Sequence, residues 1–138
     1  MNHLIYPIYN GSFTVKMGGG GFFPDVKNIP SYAFLIVNEN TGGLILIDTG
    51  FHPDFIPGVD STSVHFEDLH FSEVLEHWGY RTEDIKTVIM THMHWDHTGS
   101  IAKFPRARFY VQGEELRALV RLPVNEECSF CPSHWLPH

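Results

Sequence analysis

The run at residues 91–99, Thr-His-Met-His-Trp-Asp-His-Thr-Gly, limits what this chain of 138 residues can fold into more than any other stretch. Three histidines and one aspartate fall within six residues, directly after the apolar residues 87–90, which are typical of a buried strand. Neutral imidazole and carboxylate are common ligands of zinc and related divalent ions. The run therefore predicts a metal site at the point where a strand ends.

The spacing of the donors divides them between two ions. On a near-extended backbone the side chains alternate, so His92, His94 and Asp96 tend toward one side and His97 diverges. Two histidines that are two residues apart can bind one metal, and Asp96 with His97 can reach a second. Two-metal hydrolytic sites hold their ions ~3.5–4 Å apart, a separation that such a compact run can serve.

Composition predicts one globular domain over residues 1–138 and excludes several classes of function. The hydrophobic fraction of 43% supports a core and excludes disorder as the main state. A net charge of -7 without a cluster of Lys and Arg argues against a nucleic-acid partner. There is no apolar run near the ~18 residues that span a bilayer and no signal-peptide pattern. We expect a cytoplasmic protein that acts on a small molecule.

Apolar runs predict the strands around the metal site. Residues 31–37 and 44–47 are nearly continuous apolar runs joined by a short turn, which predicts an antiparallel pair buried on both faces. Residues 86–90 and 108–112 are expected to be further strands. Asp48, directly after the second run, either caps the next turn or orients polar groups at the end of the sheet.

A hairpin is predicted at Asn10-Gly11, since this dipeptide favours the tight turn between two strands, here residues 4–9 and 12–17. A helix is predicted over residues 67–78 because apolar residues recur there at helical spacing, at Phe71, Val74, Leu75 and Trp78. The two histidines of this helix are expected to lie at the surface.

A second helix is predicted over residues 113–121, with one apolar face formed by Leu116, Leu119 and Val120. Residues 51–66 contain prolines and polar residues and are expected to form a loop. Residues 122–138 show no strong period, which predicts an irregular tail.

The histidine run also supports a family resemblance. The pattern His-x-His-x-Asp-His at residues 92–97, between Thr91 and Gly99, resembles the defining motif of the metallo-β-lactamase superfamily. Asp48-Thr49-Gly50 after an apolar strand is a second feature of that family. The nearest branch by resemblance is that of the N-acyl homoserine lactone lactonases, on residues 28–30, 78–80 and 85–99. The resemblance covers about residues 28–121.

The resemblance implies an α/β fold, the αββα sandwich, which is about twice this length and consists of two similar halves. This chain resembles the N-terminal half, a mixed or antiparallel sheet with two helices, and the resemblance implies that it is truncated. A half-sandwich leaves one sheet face uncovered, and large apolar patches mark interaction sites. We therefore expect a homodimer through that face.

The resemblance also implies the roles of individual residues. His92 and His94 would bind a first metal, Asp96 and His97 a second, and Asp48 would support the ligands by hydrogen bonds. Zinc is the expected metal, as one or two ions, with iron or manganese as alternatives. A metal-bound hydroxide would attack the carbonyl of a lactone, ester or thioester, and Asp96 could pass a proton to the leaving group.

The ligand count is short, because the family's second half supplies another histidine for each metal and a bridging carboxylate. No aspartate follows Asp96 in this chain. The alternative to a zinc-dependent hydrolase is therefore a non-catalytic metal-binding or interaction half-domain that another chain completes. An oxidative member of the family is a third possibility, since the same motif can hold iron.

A second group of candidate ligands lies near the C-terminus, at Cys128, Cys131, His134 and His138. Cysteine and histidine at these spacings can form a structural zinc site. All four fall within eleven residues, however, which is tighter than the usual separated pairs. The alternative is a connector with incidental thiols, and the residues alone leave both open.

Overall fold

The computed structural model describes residues 2–15, 26–52, 64–68, 70–122 and 129–136. In these ranges the strands are β1 (His3–Val15), β2 (Val26–Asn38), β3 (Leu44–Ile47), β4 (Val64–Asp68), β5 (Thr87–Ile89) and β6 (Arg108–Tyr110). The α-helices are α1 (Phe71–His77), α2 (Trp95–Thr98) and α3 (Gly113–Leu119). Short 3-10 turns occupy Thr82–Asp84, Ile101–Lys103 and Pro132–His134. No described helix has the length and apolar character that crossing a membrane requires.

The strands form one mixed sheet in the order β4-β1-β2-β3-β5-β6. The pairs β1–β2, β1–β4 and β2–β3 are antiparallel, which confirms the predicted pairing of residues 31–37 with 44–47. The pairs β3–β5 and β5–β6 are parallel. Since parallel strands end at the same edge, the residues after β3 and β5 meet there, and these include Asp48 and the histidine run.

The predicted hairpin at Asn10-Gly11 is wrong, because β1 continues through these residues. Tyr9 still pairs with Tyr32 across the sheet. Gly11 pairs with Ser31, so Asn10 is the extra residue of a β-bulge. Gly11 has a φ of 116°, a conformation that glycine adopts without the steric cost that a side chain would carry. The bulge directs the buried Asn10 side chain toward the edge that carries Asp48.

The helices are shorter than predicted. The first begins at Phe71, because Glu67 and Asp68 belong to β4 and pair with β1. The predicted loop over residues 51–66 is wrong for its last three residues, which are also in β4, and its residues 53–63 lie outside the described ranges. The third helix ends at Leu119, and Val120 is 81% exposed, so the predicted apolar face there is incomplete.

In the part of the chain that the structure describes, one sheet face carries the core and the other is open. Buried side chains on the covered face include Ile8, Ala33, Leu35, Leu46 and Val88, packed with Phe71 and Leu75 of α1. On the other face the strand register places Phe34, Ile47, Ile89 and Tyr110 in one row across β2, β3, β5 and β6. Phe34 is 42% exposed, Ile89 39% and Tyr110 48%. Large apolar side chains thus line this open face, and the prediction that residues 31–37 are buried on both faces is wrong.

Candidate metal centre

Asp48 stands where β3 ends and connects directly to the end of β5. Its backbone N–H donates to the carbonyl of Ile89 at 2.9 Å. Its φ is 60°, in the left-handed region that residues other than glycine seldom adopt. The side chain is buried. An aspartate in a strained backbone conformation at a sheet edge is typical of a functional position, where the surrounding structure compensates the strain.

The carboxylate of Asp48 accepts three hydrogen bonds from the histidine run. The backbone N–H of Thr91 donates to Oδ1 at 2.8 Å, and its hydroxyl donates to Oδ2 at 2.7 Å. Nδ1 of His97 donates to the same Oδ2 at 2.8 Å. Residues more than forty positions apart in sequence are therefore held together by one buried carboxylate.

These hydrogen bonds determine which ring nitrogens of His92 and His97 are available to a metal. A carboxylate only accepts, so the proton of His97 lies on Nδ1 and a neutral ring presents the lone pair of Nε2. The Thr91 hydroxyl gives its proton to Asp48, so its oxygen accepts from Nδ1 of His92 at 3.0 Å. His92 likewise presents Nε2. Asp48 thus orients one ring directly and another through Thr91, as hydrogen-bond partners of metal ligands do.

The four predicted ligands lie close together. The ring centroid of His92 is 4.6 Å from that of His94 and 4.1 Å from that of His97. Nε2 of His97 lies 3.6 Å from Oδ2 of Asp96. The expectation that His97 diverges is wrong, because the extended backbone ends at His94. There α2 begins, and its first turn brings His97 back toward His92.

The pKa values of His92 and His97 shift in opposite directions. Burial lowers the pKa of His92, and the neighbouring rings of His97 and His94 lower it further. Burial also acts to lower the pKa of His97, but the hydrogen bond to Asp48 and the charges of Asp96 and Asp48 outweigh burial and raise it. The cluster therefore holds one histidine whose pKa lies below that of a free imidazole and one whose pKa lies above it.

The C-terminal segment packs on the same cluster. Phe130 forms a β-bridge with His94, and its ring meets the His94 ring edge-on with centroids 4.8 Å apart. The buried His134 contacts the hydroxyl of Thr98 in α2 through Nδ1 at 2.8 Å. Cys131 is buried with Phe13, Phe51 and Trp95. Cys128 and His138 lie outside the described residues, so a zinc site that combines them with Cys131 and His134 stays a prediction.

The donor set fits a divalent metal in chemistry but is incomplete in geometry. Imidazole nitrogens and a carboxylate are the ligands that zinc prefers, and hydrogen bonds already orient two of the rings. Within the described ranges, however, no three or more His, Cys, Asp and Glu side chains are placed to hold one ion. The cluster has the features of part of a metal site, in line with the short ligand count in the sequence.

Sequence reasoning missed several residues that shape this site. The Thr91 hydroxyl links Asp48 to His92 by hydrogen bonds, and Glu115 contacts the loop between the histidines. The ring of Phe130 meets that of His94 edge-on from a segment predicted to be irregular. The position of Thr91 beside the first histidine was a usable signal. Glu115 and Phe130 carry no pattern that links them to the run.

Comparison with known proteins places the chain in a family. The model of the metallo-beta-lactamase superfamily matches residues 26–129. A probable metallo-hydrolase of Mycobacterium tuberculosis is 31% identical over 110 residues, which are 73% of this chain and 36% of that protein. An N-acyl homoserine lactonase of Bacillus thuringiensis is 30% identical over 113 residues, 73% of this chain and 44% of that protein. The chain thus spans less than half of these relatives.

Solved structures agree on the fold. An N-acyl homoserine lactone hydrolase with the product N-hexanoyl-L-homoserine at its catalytic metal center superposes with a TM-score of 0.71 at 22% identity, covering 97% of this chain and 56% of that one. A probable metal-dependent hydrolase from Staphylococcus aureus gives 0.68 at 21%, covering 96% and 53%. By its matched family model and its fold, this chain belongs to the metallo-beta-lactamase superfamily and corresponds to about half the length of these solved chains.

Proposed function

We propose that the chain forms part of a zinc-dependent hydrolase that opens a lactone, ester or thioester, with an N-acyl homoserine lactone as the leading substrate class. The observation that carries the proposal is the orientation of His92 and His97 by the Asp48 carboxylate, which leaves Nε2 of both rings available and holds that of His97 3.6 Å from Oδ2 of Asp96. The curated relatives named as metallo-hydrolases and lactonases support the same reaction class.

The side chains of this chain would have separate roles. His92 and His94 would hold a first zinc, Asp96 and His97 a second, and iron or manganese are alternatives. A bound divalent ion lowers the pKa of water and polarises a carbonyl. Asp96, which is only partly buried beside His97, would pass a proton to the leaving oxygen. Asp48 would keep the rings of His92 and His97 oriented while the metal is bound.

The proposal is tested by zinc content and hydrolysis measured on the same preparation. Elemental analysis should find zinc bound, and a panel of lactones, esters and thioesters should be hydrolysed, with both signals lost in His94→Ala. His77→Ala is a matched control, because this histidine lies exposed on α1 away from the cluster. Hydrolysis that persists in His94→Ala, or equal loss in His77→Ala, would contradict the proposal.

A second candidate function is a non-catalytic metal-binding half-domain that another chain completes. It is favoured by the observation that no three donors in the described ranges surround one point. Under this alternative, zinc binds in stoichiometric amount but no member of the substrate panel turns over. A wild type that binds zinc but hydrolyses nothing, together with loss of that zinc in His94→Ala, would favour the half-domain over the hydrolase.

We also propose that a second copy of this chain covers the open sheet face. Each copy has a net charge of -7, but the row of Phe34, Ile47, Ile89 and Tyr110 carries no charged side chain. A contact between these two rows therefore brings no like charges together. The solved structures that the chain matches are nearly twice as long as the matched part, so a second copy would supply a comparable length. Stable interfaces bury ~800 Å² on each partner, mostly apolar at their centre.

The dimer is tested by analytical ultracentrifugation of the chain and its Phe34→Lys variant. The expected result is a dimer that the charged side chain converts to a monomer with unchanged far-UV circular dichroism. Glu76→Lys, an exposed position on α1, is the control for a new charge elsewhere. A monomer that binds no apolar dye would contradict a docking face, and a monomer that binds it would point to a different partner.

A further inference from the structure

The backbone between the two predicted ligands His92 and His94 is held by a carboxylate from a distant helix. The N–H of Met93 donates to Oε1 of Glu115 at 2.8 Å. Glu115 lies in the first turn of α3, 22 positions further along the chain, and its side chain is half-buried. A hydrogen bond of this length fixes the position of the Met93 amide.

Two carboxylates thus accept hydrogen bonds from alternate amides of the segment 91–93. Asp48 accepts from the N–H of Thr91, and Glu115 accepts from the N–H of Met93, which is the next amide but one. The Met93 side chain is buried in the core and points away from the histidines. The segment is therefore fixed by its amides at two points and by its side chain at a third, which leaves His92 and His94 on the opposite side.

We infer that Glu115 is a positioning residue that sets the separation of His92 and His94. Without the Glu115 carboxylate, the N–H of Met93 would donate to water, and the peptide planes on both sides of Met93 would be free to rotate. Those planes carry the two histidines, whose ring centroids lie 4.6 Å apart. Small rotations change the distance between the ring nitrogens, and metal sites require donor positions within about 0.5 Å.

The role differs from that of Asp48, because Glu115 contacts neither predicted ligand through a side chain. Its action passes through one backbone amide, so any side chain that offers an acceptor oxygen at the same place should replace it. This separates positioning from an electrostatic effect of the negative charge, which only Glu retains. The inference rests on the proposed metal-binding role of the cluster for its effect on affinity, but the effect on the loop itself does not need a metal.

The test compares Glu115→Ala and Glu115→Gln with Glu114→Ala. Glu114 is the matched control, since it lies one residue away, is exposed and forms a surface ion pair with Arg117. In the metal-free protein, NMR should show faster exchange of the Met93 amide and loss of the contact between the His92 and His94 rings in Glu115→Ala alone. In zinc competition with a chromophoric chelator, Glu115→Ala should bind about 10- to 100-fold more weakly, while Glu115→Gln stays near the wild type.

The outcomes separate failure of the inference from failure of the proposed function. If the Met93 amide and the ring contact are unchanged in Glu115→Ala, the inference is wrong whether or not zinc binds. If Glu115→Gln behaves like Glu115→Ala, the charge acts and the positioning role is wrong. If the wild type binds no zinc but the loop signals still depend on Glu115, positioning of the two rings is supported and the proposed hydrolase is overturned.

Discussion

Gly99 packs directly against the backbone of Phe51. A Cβ atom on Gly99 would lie 2.4 Å from the carbonyl carbon of Phe51 and 2.3 Å from the nitrogen of His52. The approach is secured by the N–H of Gly99, which donates to the carbonyl of Gly50 at 2.7 Å. The segment that carries Asp48 and the end of α2 are thereby joined without any side chain between them.

Gly99→Ala should therefore destabilise the fold by about 1–3 kcal/mol, the range seen when atoms are forced into a packed interior. The neighbouring atoms belong to the backbone and cannot rotate away as a side chain can. Urea unfolding of the metal-free protein measures the change. Gly113→Ala is the control, because its Cβ would meet only the end of the Arg117 side chain, at 3.7 Å. Equal stability of the two variants would contradict the assigned contact.

Asp48→Asn should weaken zinc binding by about 10- to 100-fold while the fold persists. Asparagine tolerates the left-handed conformation that position 48 requires, with its φ of 60°, so the backbone need not change. Its oxygen can still accept from the N–H of Thr91. Its NH₂ group, however, faces two groups that donate to Asp48, the hydroxyl of Thr91 and Nδ1 of His97. The orientation of both rings is then lost.

Zinc competition against a chelator measures this effect, and thermal unfolding of the metal-free variant shows that the fold is intact. Asp84→Asn provides the control for the loss of an exposed aspartate in the turn before β5. Affinity in Asp48→Asn equal to that of the control would show that the carboxylate does not orient the ligands.

The central sheet and the family could be predicted because they depend on local patterns. Continuous apolar runs identify buried strands, and the short turn between residues 37 and 44 leaves antiparallel pairing as the simple solution. The prediction at Asn10 failed for a non-local reason. Asn-Gly favours a hairpin by itself, but the Asn10 side chain accepts a hydrogen bond from the distant N–H of Phe51, and the strand continues through a bulge.

The members of the site were predictable, but their arrangement was not. Residue type and spacing point to His92, His94, Asp96 and His97. His97 turns toward His92 because α2 begins directly after His94. The alternation of side chains in an extended chain does not predict this helix. The support from Glu115 is less visible still, because it acts on a backbone amide and leaves no signature in the identity of Met93.

The stability of the metal-free protein should depend on pH through His97 and His92 with opposite signs. The raised pKa of His97 means that its contribution is complete below the unfolded value of about 6.5 and is lost as the pH rises through the folded value. The lowered pKa of His92 means that the unfolded chain binds protons more readily, so stability is gained as the pH rises toward about 6.5.

The sign of each pH dependence is tested by urea unfolding of the wild type and the His97→Gln and His92→Gln variants. The measurements are made in the presence of a chelator, from pH 5 to 9 in steps of ~0.5 pH unit. The difference between wild type and His97→Gln should shrink above about pH 6.5, and that between wild type and His92→Gln should change below it. His77→Gln, on the surface of α1, should leave the wild-type profile unchanged. A wild-type profile that is flat across the range would contradict both assignments.

Asn10→Ala should destabilise the fold by about 1–3 kcal/mol, the cost of leaving a buried donor unsatisfied. Oδ1 of Asn10 accepts from the backbone N–H of Phe51 at 2.8 Å and from the hydroxyl of Ser31 at 3.2 Å, and the side chain is fully buried. Ser31→Ala separates the two contacts, since it removes the hydroxyl and leaves the acceptor of Phe51 in place. Urea unfolding should therefore find the smaller loss in Ser31→Ala. If Ser31→Ala costs as much as Asn10→Ala, then the bulge in β1 does not stabilise the segment after Asp48 through the amide of Phe51.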